Sequence, residues 1–257
     1  MIDMNLAKEA FEQYLNEFDR NDPKISLKIV HTYGVVHYTQ QVCQRMKLNE
    51  EDTNLSLLIA LLHDIGRFEQ VRLYDSFEHT TMSHADFGVD LLKKDQFIRK
   101  FVRDSQYDDM IFKAIYHHSD YKLENIEDER TLFFCKMIRD TDKLDNCRVK
   151  LVDPIEVLLN ETKEEVGSEI ITDKVWKSCL NYQSVLLSDR QSKVDYWVSY
   201  IAYFFDINFK ESFQIIEEND FVSKTIHRIP YSNKETKEKM EYLEFITNEY
   251  IHQKALY

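Results

Sequence analysis

The scarcity of residues that interrupt helices is the feature that most constrains this fold. Only four glycines and three prolines occur in 257 residues. An all-β protein of this size needs many tight turns, and glycine and proline form such turns most readily. Hydrophobic residues make up 43% of the chain, which is enough for a packed core. The sequence therefore predicts an all-α protein.

Amphipathic patterns with helical spacing recur along the whole chain without an internal repeat. Asp22 and Pro23 fit the cap and first turn of the second helix, and the aperiodic segment 120–130 is expected to be a loop. The simplest organisation is a domain over residues 1–150, followed by a helical extension, 151–257, that packs on it as part of the same domain. The predicted helices are 4–18, 25–47, 51–66, 83–94, 107–118, 130–148, 154–160, 172–187, 191–206, 209–218 and 232–254.

Charge and cysteine usage limit the partners and the compartment. The net charge of −13 disfavours an extended nucleic-acid surface or an anionic-membrane surface. No apolar run approaches the ~20 residues that cross a bilayer, and the first residues lack the pattern of a signal peptide. The four cysteines are far apart and are typical of reduced cytosolic thiols. We therefore expect a cytoplasmic protein without a membrane partner.

Ionisable residues on apolar helix faces carry the functional signal. A buried imidazole or carboxylate is costly unless it has a partner. His31 lies on the apolar stripe of the second helix, three or four residues from its apolar neighbours. The third helix is apolar on nearly all sides and ends in His63 and Asp64, with Gly66 expected to allow a sharp exit from the helix.

Three further helices each add one residue of this kind. His84 lies on the apolar side of its helix, whereas His79 is expected in an exposed loop. His118, rather than the adjacent His117, follows the apolar face of its helix, and Asp142 interrupts the apolar face of 130–148. One such residue alone is more often a satisfied core residue, but six on five helices favour a metal centre, which bundles build from facing helices. Imidazole with carboxylate suits Mn, Fe or Zn.

The order of these residues resembles that of the HD-domain superfamily of metal-dependent phosphohydrolases, which is named after its His-Asp dipeptide. The resemblance covers roughly residues 25–150. It rests on the segment 29–35 around the first histidine, on Ala-Leu-Leu-His-Asp-Ile-Gly-Arg-Phe-Glu-Gln at 60–70, and on Ile-Arg-Asp-Thr-Asp-Lys-Leu-Asp at 138–145. It implies an HD-domain helical bundle around a metal centre, with the C-terminal extension outside the recognised motifs.

The resemblance also implies a ligand set and a reaction. A first divalent ion would be held by His31, His63, Asp64 and Asp142. His84 and His118 match the extra histidines of six-ligand members, where they bind a second ion that Asp64 bridges. In members with fewer ligands, histidines at these positions contact the substrate phosphate instead.

The implied chemistry is attack of a metal-activated water on a phosphoryl centre. Arg67 occupies a position at which many members have lysine, and a guanidinium can bind two phosphate oxygens. The expected catalytic residues are Asp64, Arg67, His84, His118 and Lys143. The expected cofactor is one or two ions of Mn, Fe, Mg, Co or Zn. The expected substrate is a small phosphorylated molecule, a nucleotide above all, with monoester, diester and pyrophosphate bonds left open.

Two other functions stay open. Some HD-fold proteins with the same six ligands are diiron oxygenases, so the ligand pattern does not exclude oxidation. A non-catalytic, regulatory protein with a structural metal is the second alternative, although a structural site needs only about four ligands. Aromatic residues after position 150, such as Trp176, Trp197 and Tyr200, are compatible with core packing, with a pocket wall and with a homodimer interface.

Overall fold

The computed structural model describes residues 2–78 and 80–256, and throughout these two ranges the regular elements are helices, with no β-strand. The prediction of an all-α fold is confirmed. The chain forms two compact units, of which the first ends at Asp145 and the second begins at Asn146. No helix in the described ranges combines the length and the apolar character that a membrane crossing requires.

The first unit contains the helices that carry the predicted ligands. Asp22 caps the second of them by accepting hydrogen bonds from the backbone of Lys24 and Ile25, and Pro23 occupies its first position, as predicted. The elements are α1 (Met4–Leu15), α2 (Pro23–Met46), α3 (Glu50–Leu62), α4 (Ile65–Tyr74), α5 (His84–Lys93), a 3-10 segment (Lys94–Lys100), α6 (Asp108–His117) and α7 (Glu129–Val152), which continues past the unit boundary.

Helix α3 lies at the centre of this unit. Every side chain from Leu55 to Leu62 is buried, and the helix packs against α1, α2 and α6. Burial on all sides is what the almost wholly apolar sequence of this segment predicts. At its start, Asn49 accepts a hydrogen bond from the Asp52 backbone, so the helix begins at a capped end and leads directly to the residues His63 and Asp64.

The chain breaks the predicted third helix and forms a further helix that the sequence pattern did not reveal. Helix α3 ends at Leu62, and α4 begins at Ile65 after the non-helical Asp64. Gly66 does not serve as a sharp exit, because its φ is not positive. A Cβ on Gly66 would instead lie 2.2 Å from the His84 carbonyl oxygen. Glycine is therefore required for the close approach of α4 to α5, which brings His84 toward Asp64.

Up to Leu256, the second unit consists of six helices of five to ten residues and the long C-terminal α14, with Trp197 fully buried. Four of its helices are shorter than predicted, and α9 and α13 were missed because six residues give little periodicity. Packing of residues 151–257 on the first domain stays a prediction. The helices are α8 (Ile155–Leu159), α9 (Lys163–Ser168), α10 (Asp173–Leu180), α11 (Lys193–Ala202), α12 (Lys210–Glu218), α13 (Phe221–Ile226) and α14 (Lys234–Leu256), with 3-10 turns at Leu187–Asp189 and Tyr203–Asp206.

Candidate metal centre

The fold of the first unit brings the six candidate ligands together in two adjacent groups. Within each group, one potential ligand atom from every residue lies within 4.8 Å of the others. Five of the six residues are buried, and Asp142 is partly buried. We call His31, His63 and Asp142 the first group, and Asp64, His84 and His118 the second group.

Each candidate ligand comes from a different helix or helix end. Two of them, His31 in α2 and Asp142 in α7, lie in the middle of long helices. The other four lie at helix termini. His63 follows the last residue of α3, Asp64 precedes the first residue of α4, His84 is the first residue of α5, and His118 follows the last residue of α6.

The first group converges on one point through imidazole Nε2 atoms and carboxylate oxygens. The Nε2 atom of His31 lies 3.0 Å from Asp142 Oδ1, and that of His63 lies 3.8 Å from the same oxygen. Asp64 Oδ2 lies 3.7 Å and 3.6 Å from these two nitrogens. The ligand atoms of all three residues of the first group therefore lie close to each other, and Oδ2 of Asp64 lies close to both histidine nitrogens.

The second group uses the other oxygen of Asp64. Asp64 Oδ1 lies 3.4 Å from His84 Nε2 and 3.7 Å from His118 Nε2. The two imidazole nitrogens are themselves 3.0 Å apart. Asp64 thus presents one oxygen to each group.

Hydrogen bonds from Nδ1 to backbone carbonyls fix the orientation of two of the histidines. His63 Nδ1 bonds to the Ala60 carbonyl at 2.8 Å, and His118 Nδ1 bonds to the Ile115 carbonyl at 2.6 Å. Carbonyls in the last turn of a helix lack a backbone donor, so a histidine at the helix end can satisfy one of them. Because a carbonyl only accepts, Nδ1 carries the proton and the Nε2 lone pair faces the site.

Electrostatics favour neutral His63 and His84 beside ionised aspartates. Burial lowers the pKa of His63 to about 4 and the pKa of His84 to about 2, so both are neutral at pH 7 and able to bind a cation. Burial alone would raise the pKa of Asp64, but the Lys28 ammonium and the neighbouring imidazoles hold it well below its usual range. The pKa of Asp142 is likewise lowered, because His31 outweighs the effect of burial.

Comparison with protein-family models identifies this part of the chain. Residues 29–147 match the model described as HD domain. This segment is an HD domain. The match contains all six candidate ligands, and HD domains form a superfamily in which metal-dependent phosphohydrolases predominate. Searches of curated proteins and of solved structures gave no significant match.

Behind the first group, the HD domain holds a buried carboxylate that sequence reasoning did not assign. Asp145 is fully buried, and its Oδ2 lies 2.7 Å from His31 Nδ1. Burial and Lys28 lower the pKa of His31, but hydrogen bonds to Asp142 and Asp145 outweigh them and raise it. A Cβ on Gly34 would lie 1.9 Å from Asp145 Oδ1, so glycine at this position makes room for the carboxylate.

Two cations lie against the two oxygens of Asp64. Lys28 Nζ donates to Oδ2 at 2.7 Å, and Arg67 Nε lies 3.7 Å from Oδ1. Arg67 also donates through Nη1 to Gln70 and to the Phe77 carbonyl, so it holds the loop that follows α4. Its Nε is buried and has no hydrogen-bond partner among the described residues. Sequence reasoning singled out Arg67 but overlooked Lys28, three residues before His31 on the same helix face.

The neighbours of the candidate ligands have other partners. His117 pairs with Asp120 at 2.7 Å outside both groups, while His118 lies inside. Lys143 is partly buried, with Nζ 3.4 Å from the Arg139 carbonyl. The buried Arg139 donates to the backbone at the end of α6. His79 lies outside the described residues.

The residues of the HD domain fit a divalent metal. His63 Nε2 is buried, points into the first group and has no hydrogen-bond partner among the described residues. Such an orphaned acceptor is costly unless a cation binds to it. With metal–ligand distances of ~2.1 Å, adjacent ligand atoms lie roughly 3.0–3.4 Å apart, close to the separations found in both groups. Neutral imidazoles and carboxylates are also the donors that Mn, Fe and Zn prefer.

Proposed function

We propose that this chain is a metal-dependent phosphohydrolase that acts on a small phosphorylated substrate, with nucleotides as the first class to examine. The observation that supports this most is the position of Asp64. One of its oxygens faces His31 and His63, and the other faces His84 and His118. One carboxylate placed between two histidine pairs suits a pair of cations that act on one anionic centre.

In this proposal, His31, His63, Asp64 and Asp142 hold one divalent ion, and Asp64, His84 and His118 hold a second. When bound, the ions lower the pKa of a coordinated water and neutralise phosphoryl oxygens. If only one ion binds, His84 and His118 are available to contact the phosphate directly.

The chain's own residues orient and balance this centre. Ala60 and Ile115 carbonyls hold the rings of His63 and His118 by their Nδ1 protons. The buried Nε–H of Arg67 lies near Asp64 Oδ1 and has no hydrogen-bond partner among the described residues. We assign this N–H as a donor to a phosphoryl oxygen of the substrate. Lys143 follows Asp142 on α7, but its Nζ lies 3.4 Å from the Arg139 carbonyl, so its catalytic role stays a prediction.

The cations beside Asp64 favour hydrolysis of an anionic substrate over the alternative of oxidation. A guanidinium with a free N–H suits phosphate. An oxygenase that acts on a neutral substrate has no use for that charge next to its ligands. A structural metal is also disfavoured, because six inward ligands exceed the four that a structural site needs.

The test is phosphate release from mononucleotides, dinucleoside polyphosphates, cyclic nucleotides and model phosphoesters. Each is assayed with Mn²⁺ in air and with Fe²⁺ under anaerobic conditions, using the wild type and Asp64→Ala. Hydrolysis by the wild type alone supports the proposal, and the preferred bond identifies the substrate class. Bound iron with no hydrolysis, together with oxygen consumption, would favour the oxygenase. A chain that binds no metal would overturn the proposal altogether.

A further inference from the structure

Lys28 is a nearly buried lysine at the centre of the site. It lies on α2, three residues before His31, and only 13% of its side chain is exposed. Its Nζ lies 2.7 Å from Asp64 Oδ2 and 5.3 Å from the centroid of the Phe77 ring. The ammonium is therefore held between a candidate metal ligand and the face of an aromatic ring, a favourable place for a cation.

The ammonium of Lys28 has more hydrogen-bond donors than the described residues supply acceptors for. A lysine ammonium has three N–H donors and no acceptor. In the described part of the chain, Asp64 Oδ2 is its one hydrogen-bond acceptor, and the Phe77 ring covers another side. Donors on a nearly buried ammonium need acceptors, since desolvated donors without partners are costly. The remaining donors thus require water or a ligand with oxygen acceptors.

The charge of Lys28 is unfavourable for metal binding alone. A positive charge 2.7 Å from a ligand carboxylate repels a divalent ion at the same carboxylate. A neutral side chain at this position would give a tighter metal site. The lysine becomes favourable when an anion joins the site, because a phosphoryl group then meets Lys28 beside Oδ2 and Arg67 beside Oδ1.

We propose that Lys28 is a substrate-binding residue whose ammonium donates hydrogen bonds to a phosphoryl oxygen next to Asp64. The proposal rests on the phosphohydrolase function above and adds a residue to it. Phe77 keeps the ammonium in place, and its own position is fixed by the hydrogen bond from Arg67 to its carbonyl at 2.8 Å. Lys28 and Arg67 together select a substrate that carries a phosphoryl group with non-bridging oxygens.

Helix α2 supplies a matched control one turn earlier. Lys24 has the same side chain and pairs with Asp75, but this pair is far more exposed and Lys24 has no contact with Asp64 among its described interactions. Lys24→Met therefore removes the same charge from the same helix without altering the proposed phosphate site. Lys28→Arg keeps the charge and serves as the conservative variant.

The experiment measures metal binding and phosphate binding separately, without turnover. Manganese stoichiometry and affinity are determined first, by equilibrium dialysis with elemental analysis. Inorganic phosphate is then titrated calorimetrically into the Mn²⁺-loaded wild type, Lys28→Met, Lys28→Gln, Lys28→Arg and Lys24→Met. Thermal melts of each protein verify folding.

We expect Lys28→Met and Lys28→Gln to bind as much Mn²⁺ as the wild type, with equal or higher affinity. Their phosphate affinity should fall roughly 10- to 100-fold, the loss expected for one charge-assisted hydrogen bond. Lys28→Arg should restore most of the phosphate affinity, and Lys24→Met should leave it unchanged.

Three results would overturn the proposal. Unchanged phosphate affinity in the neutral variants, or no phosphate binding by the wild type, would remove Lys28 from the substrate site. Loss of Mn²⁺ in the neutral variants would instead make Lys28 a positioning residue for Asp64. Failure of the proposed function is separate, because phosphate binding that depends on Lys28 persists even if no phosphoester is hydrolysed.

Discussion

The two ligand groups of the HD domain differ in how many of their residues lie at helix ends. In the first group, only His63 lies at a helix end, His31 and Asp142 lie in the interior of the long helices α2 and α7, and Asp145 supports His31 from behind. In the second group, Asp64, His84 and His118 all lie at helix ends. Helix ends fray and shift more readily than helix interiors. The first group is therefore the more rigid of the two.

The groups also differ in charge. The first group has the carboxylate of Asp142 and one oxygen of Asp64, with the Lys28 ammonium against that oxygen and the buried Asp145 carboxylate behind His31. The second group has only the other oxygen of Asp64, and Arg67 lies against that oxygen. A dication gains more from the more negative environment. We expect the first group to bind the tighter ion and the second group to fill at higher metal concentration.

Asp64→Asn should have the largest effect, because it changes the one residue that both groups share. The amide keeps the shape but removes the charge and leaves Lys28 without its counter-ion. We expect binding of both ions to be lost and hydrolysis to become undetectable. Metal content after gel filtration in Mn²⁺ tests this. Retention of two ions would show that Asp64 bridges nothing.

Gly66→Ala should impair the second group and leave the first group intact. Its Cβ would meet the His84 carbonyl at 2.2 Å, so the backbones of α4 and α5 must move apart. We expect the second ion to be lost, the first to remain, and the free energy of unfolding to fall by about 3 kcal/mol, as for strong overpacking. Urea denaturation and metal content measure the two effects.

The second unit supplies the control for this substitution. A Cβ on Gly167 would lie 2.3 Å from the Pro230 carbonyl, a clash of the same kind. Gly167→Ala should destabilise the protein without changing its metal content. Loss of an ion in this control, or loss of the first ion in Gly66→Ala, would contradict the separation of the groups.

Asp145→Asn should weaken the first group alone. The carboxylate that orients a metal-binding histidine is worth ~10- to 100-fold in metal affinity. We expect that loss for the tighter ion and no change for the weaker one, measured by competition with a chelator of known affinity. Asp195→Asn is the control. Asp195 is an equally buried carboxylate in the second unit, and its oxygens accept hydrogen bonds from the backbone of Thr172 and Gln191. Equal losses for both ions would mean that Asp145 acts on the fold rather than on His31.

His117→Ala should have the smallest effect. His117 is adjacent to His118, but it pairs with Asp120 instead of Asp64. Loss of a partly exposed pair costs up to about 1 kcal/mol, and metal binding should stay as in the wild type. Thermal denaturation and Mn²⁺ titration provide the measurement. Loss of an ion would show that His117, and not His118, is the metal ligand at this helix end.

The features that depend on composition and on helical periodicity could be predicted from the sequence. The all-α fold follows from the scarcity of turn residues, and helical spacing places His31, His84 and His118 on apolar faces that the structure buries. The break after Leu62 was missed because neither His63 nor Asp64 forces a helix to end, so the end of the helix was predicted at Gly66. The helix ends there because the backbone of Asp64 is not helical and because α4 packs closely against α5. That packing involves His84, which lies twenty residues after Asp64 in the sequence.

The supporting residues were also missed, although a signal for them exists. Lys28 precedes His31 by three residues, Gly34 follows it by three, and Asp145 follows Asp142 by three. Residues at this spacing share a helix face, so any group next to a candidate ligand on its face is a candidate for its support. Whether such a group points at the ligand or away from it depends on the neighbouring helix, which the spacing does not reveal.

The hydrogen bonds that close α3 and α6 suggest a rule for building metal sites. In each case one proton, on Nδ1 of a buried histidine, completes the last turn of a helix and at the same time leaves the other ring nitrogen open to a ligand. A designer who ends two helices with a buried histidine at the position after the last turn would obtain two oriented donors without adding any supporting side chain. The backbone that the helix leaves unpaired does that work.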